Sequence, residues 1–118
     1  MAAIDASTLI GLRDRAIVAI MAHHGANLRD MISLDVEDVR DDYVQCWSGG
    51  FAPSPTVRSA LDAWIAASRI VEGAVFLTLA RGKPLWGEMS DSAVRAMVRR
   101  HLRAAGIRSR VGMAYMYG

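Results

Sequence analysis

The stretch that decides the predicted fold is Gly11–Val39, GLRDRAIVAIMAHHGANLRDMISLDVEDV. Between Leu12 and His24 the apolar residues recur at steps of three and four, which predicts an amphipathic helix with one buried face. Gly25 is expected to end that helix, because glycine adopts the left-handed conformation common at helix C-termini. A second, short helix is predicted over Leu28–Leu34, and Asp35–Val39 is expected to lead towards a strand.

Two motifs in this stretch carry a resemblance to a known family. Arg13-Asp14-Arg15-Ala16 lies on the first helix, and Gly25, Asp30-Met31 and Leu34–Val39 follow at fixed distances. This order resembles the start of the catalytic domain of tyrosine recombinases (phage integrases), with its R-D-R-A helix, T-G-L-R-x-S-E-L turn and L-x-W-x-D-I exit. The resemblance extends over about Ser7 to Ile107. It implies an α+β fold, mainly α, in which a helical domain carries a small antiparallel sheet, like the N-terminal part of that catalytic domain.

The same alignment places Asn27 where the family has its first catalytic arginine. That arginine would hold the scissile phosphate through two charge-assisted hydrogen bonds, whereas asparagine donates only neutral ones. Arg29 lies two positions further on, about 200° round the helix, and is expected to point elsewhere. The resemblance therefore implies a site that lacks its first cation.

Three further catalytic groups that the resemblance implies have no counterpart at matching positions. Lys83, the single lysine, lies in a later turn rather than in the family's lysine-bearing hairpin. No histidine and arginine pair follows Gly106, and Tyr115 and Tyr117 come too soon after it to match the tyrosine nucleophile. Because such charge clusters act as a unit, we predict a protein without strand-cleaving activity. The alternative is a fragment of an active site-specific recombinase that a second chain completes.

Composition suits one small intracellular domain. The chain has 118 residues, is 53% hydrophobic and 22% charged, and is expected to form a single domain over 1–118 with a divergent tail at 108–118. Cys46 is the only cysteine, which excludes an internal disulfide and a cysteine-based zinc site. No apolar run is long enough to span a bilayer and no secretory signal is visible, so we expect a cytoplasmic protein, with no cofactor and no metal.

The middle of the chain predicts a strand and then a helix. Tyr43–Trp47 is an apolar run that ends at Ser48-Gly49-Gly50, which predicts a strand, a turn and a shortened hairpin. Ser54 before Pro55 predicts a helix start, and the helix is expected to run to about Ser68. Its predicted buried residues share helical spacing: Val57, Leu61, Trp64 and Ile65.

The last third of the chain predicts a strand, a turn and a helix. Val75–Leu79 is β-like, and Arg81–Leu85 is expected to turn the chain back. Ser90 is expected to cap a helix over Asp91–Ala105, with Gly106 as its stop.

That last helix divides into an apolar face and a basic face. The apolar face comprises Val94, Val98, His101, Leu102 and Ala105, and the basic face comprises Arg95, Arg99, Arg100 and Arg103. Residues 61–118 carry a formal charge of +5, against −3 for residues 1–60. We predict that the basic face, with Lys83 and Arg81, contacts double-stranded DNA. The alternative is an ordinary solvated surface in an arginine-rich chain.

Other polar and aromatic residues have simpler interpretations. His23 and His24 diverge by about 100° on a helix, so a position at the core edge is favoured over a metal site. Glu37-Asp38 and Asp41-Asp42 are expected to be solvated turn acids rather than a general acid and base. Three tryptophans, Trp47, Trp64 and Trp86, are expected in the core rather than as platforms for base stacking, although Trp86 lies beside Lys83 and could contact a partner.

The C-terminal tail suggests a second class of function. Four residues are candidates for binding a recombinase-type partner protein or a second copy of the chain: Val111, Met113, Tyr115 and Met116. They would fill the face that the family's missing C-terminal helices cover. The alternative function is therefore a homodimerisation or protein-interaction module that does not bind DNA.

Overall fold

The computed structural model describes residues 7–80 and 83–104. In chain order the elements are α1 (Leu9–His24), α2 (Leu28–Ser33), a short 3-10 helix (Val36–Asp38), β1 (Val44–Cys46), β2 (Gly49–Phe51), α3 (Pro55–Ser68), β3 (Leu77–Ala80), β4 (Lys83–Glu88) and α4 (Asp91–Ala104). Strand β1 pairs with β2 and β3 pairs with β4, both antiparallel. The protein is therefore α+β and mainly helical, as predicted, with two small hairpins.

Helix α1 is capped by Thr8 at its start and by Gly25 at its end. The Thr8 hydroxyl accepts a hydrogen bond from the Gly11 N–H at 3.0 Å, so the helix starts before the predicted Leu12. Gly25 has φ 65° and its N–H donates to the Met21 carbonyl. Only glycine adopts this left-handed conformation without steric cost, which confirms the predicted stop.

Helix α3 packs against α1 and supplies much of the core. Ser54 caps it and Pro55 occupies its first turn, as predicted. Val57, Leu61 and Trp64 are fully buried, and the Trp64 indole N–H donates to the Val75 carbonyl at 2.8 Å. This bond satisfies the one polar atom of a large buried side chain, so its burial costs little.

The first hairpin differs from the sequence prediction. Gly49 and Gly50 belong to β2, and the turn lies at Trp47 and Ser48 instead. A Cβ atom at Gly50 would lie 2.1 Å from the Tyr43 hydroxyl, so the ring of Tyr43 occupies the space that a side chain would need. The two glycines suggested a turn, but Gly50 lies in a strand, and its lack of a side chain leaves space for the ring of Tyr43, the residue before the paired strand.

The second hairpin is also shifted. Val75 and Phe76 precede β3 and are buried in the core, and the Val75 N–H donates to the Leu34 carbonyl at 2.9 Å. Lys83, Pro84 and Leu85 belong to β4, so the predicted turn at 81–85 is wrong for these three, while Arg81 and Gly82 lie outside the described residues. Within the residues described, no helix has the length and apolarity needed to cross a bilayer.

Candidate nucleic-acid interface

Helix α4 has the two faces that the sequence predicts. Val94, Met97 and Val98 are buried, and Ser90 caps the helix by accepting from the Ala93 N–H at 3.1 Å. The opposite face carries three exposed arginines, Arg99, Arg100 and Arg103, while Arg95 is half-buried. The side chain of Leu102 and the whole of Ala105 and Gly106 lie outside what is described.

The exposed arginines border a cavity of about 500 Å³, which within the described chain is lined by Ala96, Arg99, Arg100 and Arg103. Three permanently charged guanidinium groups therefore lie at one concave surface. Guanidinium groups carry planar arrays of donors of the kind that pair with phosphate or carboxylate oxygens. We call these three arginines with Ala96 the arginine face.

A buried carboxylate attaches this helix to the core. Asp14 on α1 is 2% exposed, and its Oδ1 accepts from Arg13 Nε at 3.0 Å and from Arg13 Nη2 at 2.9 Å. Its Oδ2 lies 2.9 Å from His101 Nε2 and accepts from Arg100 Nη2 at 3.2 Å. Arg13 also donates to the Leu77 carbonyl at 3.1 Å, so one ionic cluster joins α1, β3 and α4.

This cluster explains two sequence features. Arg13 and Asp14 of the R-D-R-A motif are a buried structural pair in this fold. His101 lies on the apolar side of α4, as predicted, and is partly buried against Asp14. Arg100 contacts Asp14 while its side chain stays 59% exposed, so it both anchors the helix and borders the cavity.

Asn27 has a local role at the start of α2. Its side-chain oxygen accepts from the Asp30 N–H at 3.0 Å, and the Asp30 carboxylate accepts from the Asn27 N–H at 2.9 Å. This reciprocal pair is a capping box, and Asn27 is a strongly preferred residue at such a position. The side chain of Asn27 is therefore hydrogen-bonded to the start of its own helix.

Asp30 has a structural role that the sequence did not predict. It is 1% exposed, and besides Asn27 it accepts from the Ser48 N–H at 2.9 Å and the Ser48 hydroxyl at 2.8 Å. The N-x-x-D spacing could have revealed its capping role, but the contact with Ser48 depends on the hairpin. Asp30 thus fixes the turn of the β1–β2 hairpin to α2.

Trp47 is 68% exposed, so its predicted place in the core is wrong. The reason is that β1 ends at Cys46, whose side chain is buried, and that Trp47 follows in the turn of the hairpin. The guanidinium carbon of Arg29 lies 5.2 Å from the centre of the Trp47 ring, within range of a cation–π contact. Trp64 is in the core as predicted, and the side chain of Trp86 lies outside the described set.

The two histidines lie at the junction of α1 and α3. His24 Nε2 accepts from the Ser54 N–H at 3.1 Å, and its ring stacks on Phe51 with centres 4.1 Å apart. Burial, and then the neighbouring His23, lower the pKa of His24. His23 Nδ1 lies 3.3 Å from the Ser54 hydroxyl. The structure thus places both histidines beside a helix cap, and the described residues hold no group of three or more His, Cys, Asp or Glu side chains suited to a metal ion.

Cys46 is a buried thiol. Burial, followed by the nearby charges of Asp30 and Asp38, raises its pKa to about 12. A thiol in this state is a poor nucleophile and metal ligand, because only the thiolate reacts. It acts as a small apolar residue on the inward face of β1.

Several predicted site residues lie outside the described residues. They are Arg81 and the tail residues Val111, Met113, Tyr115, Met116 and Tyr117. For Lys83, only its position in β4 is described.

Comparison with known proteins gives no relative. No protein-family profile matches the chain, and no curated protein has a significant similarity to it.

Proposed function

We propose that this protein binds the sugar–phosphate backbone of double-stranded DNA through the arginine face and does not cleave DNA, acting as an accessory or regulatory factor. The observation that carries the proposal is the cavity bordered by Arg99, Arg100 and Arg103. Three fixed positive charges on one helix face are the electrostatic footprint of a backbone-binding surface.

The spacing of these arginines suits a phosphate backbone. From Arg99 to Arg103 the helix rises about 6 Å, and one DNA strand presents a charge about every 3.4 Å of axis. The arginine face therefore spans about two intervals between phosphates, so its three arginines can reach three successive phosphates of one strand. Arg100 has one donor on Asp14, which limits its rotamers and leaves the rest of its exposed guanidinium for a ligand.

The proposal of no cleavage depends on Asn27. In the alignment with tyrosine recombinases this position would supply a cation to the transition state, where such charges contribute most of the catalytic effect. Asn27 is instead neutral and engaged in a capping box. A suicide DNA substrate should therefore give no covalent protein–DNA adduct, and an adduct at Tyr115 or Tyr117 would contradict this part of the proposal.

The binding part is tested by charge reversal. The single variants R99E and R103E should each lower the affinity for a labelled 20-base-pair duplex in fluorescence anisotropy at low salt, and the double variant R99E/R103E should lower it at least tenfold. Arg40, an exposed arginine in the loop before β1, gives R40E as the control matched to the single variants, and R40E should change the affinity less than threefold. Equal affinities of R99E/R103E and the wild type would exclude the arginine face as the binding site.

A further inference from the structure

The turn of the first hairpin presents an aromatic ring to solvent. Trp47 is 68% exposed at the end of β1, although burial of a large aromatic side chain normally stabilises a fold by about 2 to 3 kcal/mol. A single exposed apolar side chain is ordinary on a protein surface and does not by itself indicate a ligand. Trp47 differs because its turn is fixed to the fold and because a cationic side chain lies over its ring.

The ring is held on a fixed support. Ser48, the next residue in the turn, gives both its N–H and its hydroxyl to the buried Asp30. Asp30 is itself fixed by the capping box at the start of α2. A binding group that is already ordered loses less conformational entropy when its ligand arrives.

The chemistry around the ring favours a nucleotide. Arg29 places a positive charge over Trp47 at 5.2 Å, while the three hydrogen bonds to Asp30 occupy the adjacent carboxylate. An aromatic ring with an exposed cation beside it matches a nucleobase and its phosphate, since bases stack on aromatic side chains and arginine binds the backbone. An acidic peptide could pair with Arg29, but its carboxylates would make no stacking contact with the indole of Trp47.

We propose that Trp47 is a stacking platform for an unpaired DNA base, with Arg29 contacting that nucleotide's phosphate. This inference rests on the proposed function and narrows its substrate to DNA that contains an unpaired strand, such as a junction or a gap. Helices α2 and α4 pack against each other, so the platform and the arginine face belong to one packed unit. The base would stack on the side of the indole away from Arg29.

The test compares two substitutions at one position. W47A should lower the affinity for a labelled oligothymidine about tenfold in fluorescence anisotropy, the loss expected for one stacked base, whereas W47F keeps an aromatic face and should retain most of the affinity. R29A should also weaken oligothymidine binding, and W47A should leave affinity for a blunt duplex unchanged. Because Trp47 is exposed, all three variants should keep the urea midpoint of the wild type.

Other outcomes distinguish this inference from the proposed function. Equal oligothymidine affinities of W47A and the wild type would overturn the stacking platform, even if R99E/R103E loses duplex binding. A loss of self-association in W47A, measured by light scattering, with unchanged DNA affinity would assign Trp47 to a protein interface and also overturn it. Loss of oligothymidine binding in W47A with no duplex effect in R99E/R103E would keep the platform and reject the arginine face.

Discussion

Asp14 on α1 and Asp30 on α2 are both almost fully buried, yet the groups around them differ in kind. Asp14 is surrounded by cationic groups, Arg13 and Arg100, and by His101, two of them more than 80 residues away in sequence. Within the described residues, the donors to Asp30 are neutral and belong to Asn27 and Ser48. Burying a carboxylate lowers the stability of a fold unless the carboxylate is paired with a cation or hydrogen-bonded. Asp14 is stabilised by cationic groups, whereas Asp30 is stabilised by hydrogen bonds from neutral N–H and O–H groups.

The difference shows how each proposed contact surface is built. Asp14 holds α4, which carries the arginine face, and Asp30 holds the turn that carries Trp47. If charge is what matters at Asp14 and hydrogen-bond geometry at Asp30, substitution by asparagine should separate them. Asparagine keeps the shape and one acceptor oxygen of aspartate but loses its charge.

The largest effect is expected at Asp14. D14A leaves the buried Arg13 guanidinium without a counter-charge, so it should lower the free energy of unfolding by about 3 to 5 kcal/mol. D14N should lose more than half as much, because a neutral amide cannot balance the charge. Urea unfolding followed by circular dichroism measures both, and a loss below about 1 kcal/mol for D14N would show that charge is not what Asp14 supplies.

A smaller loss in the free energy of unfolding is expected at Asp30, and the asparagine variant is expected to keep more of the wild-type stability than at Asp14. D30A leaves the N–H groups of Asn27 and Ser48 without their acceptor and should cost about 2 to 4 kcal/mol. In D30N the remaining oxygen can replace Oδ2 and accept from the Asn27 N–H and the Ser48 hydroxyl, but the amide nitrogen then faces the Ser48 N–H. D30N should therefore lose about half of that amount. The same urea experiment tests this, and equal losses in D30N and D30A would remove the contrast with Asp14.

Acid should weaken the junction of α1 and α3 by less than either substitution. The pKa of His24 is lowered in the folded protein, so between that value and the ordinary 6.5 the unfolded chain binds more protons. Its contribution to stability is therefore complete above pH 6.5 and is lost as the pH falls below 6.5. Urea midpoints at pH 7.5 and 5.5 should differ less in H24Q than in the wild type, and an equal shift in both would assign the acid sensitivity to other groups.

The smallest effect concerns the thiol beside Asp30. Burial is the main reason for its high pKa of about 12, and Asp30 adds to it. D30N should therefore increase the rate of iodoacetamide alkylation of Cys46 at pH 8.5 by a small factor. D14N is the control, since it is expected to destabilise the fold without removing a charge near the thiol. Faster alkylation in D14N than in D30N would mean that the reaction follows unfolding rather than the pKa of Cys46.

Local signals predicted much of the fold. Gly25, Ser54 with Pro55, and Ser90 marked helix boundaries that the structure confirms, because caps depend on residues within a few positions of one another. The hairpins were less predictable, since the space where Gly50 would carry a side chain is occupied by the ring of Tyr43, the residue before the paired strand. The prediction that Trp47 lies in the core is wrong because the strand within the apolar run Tyr43–Trp47 ends at Cys46, and Trp47 lies in the turn that follows.

For the candidate site, sequence reasoning found the arginines of α4 but not their support. The 3.6-residue period of a helix is enough to gather Arg99, Arg100 and Arg103 on one side. The attachment of Arg100 and His101 to Asp14 joins residues that are 86 and 87 positions apart, and no local pattern reveals such a contact. Asp30 and Ser48, 18 positions apart, pose the same difficulty on a smaller scale.

The most direct test of the account is the salt dependence of duplex binding by the wild-type protein. If Arg99, Arg100 and Arg103 each neutralise one phosphate, log Kd should rise with log salt concentration at a slope of about 2.7, so that affinity falls about 40-fold between 50 and 200 mM salt. Fluorescence anisotropy over that range gives the slope, and R99E/R103E should reduce it. A duplex that does not bind even at 50 mM salt, or an affinity independent of salt, would contradict the proposal that the arginine face binds DNA.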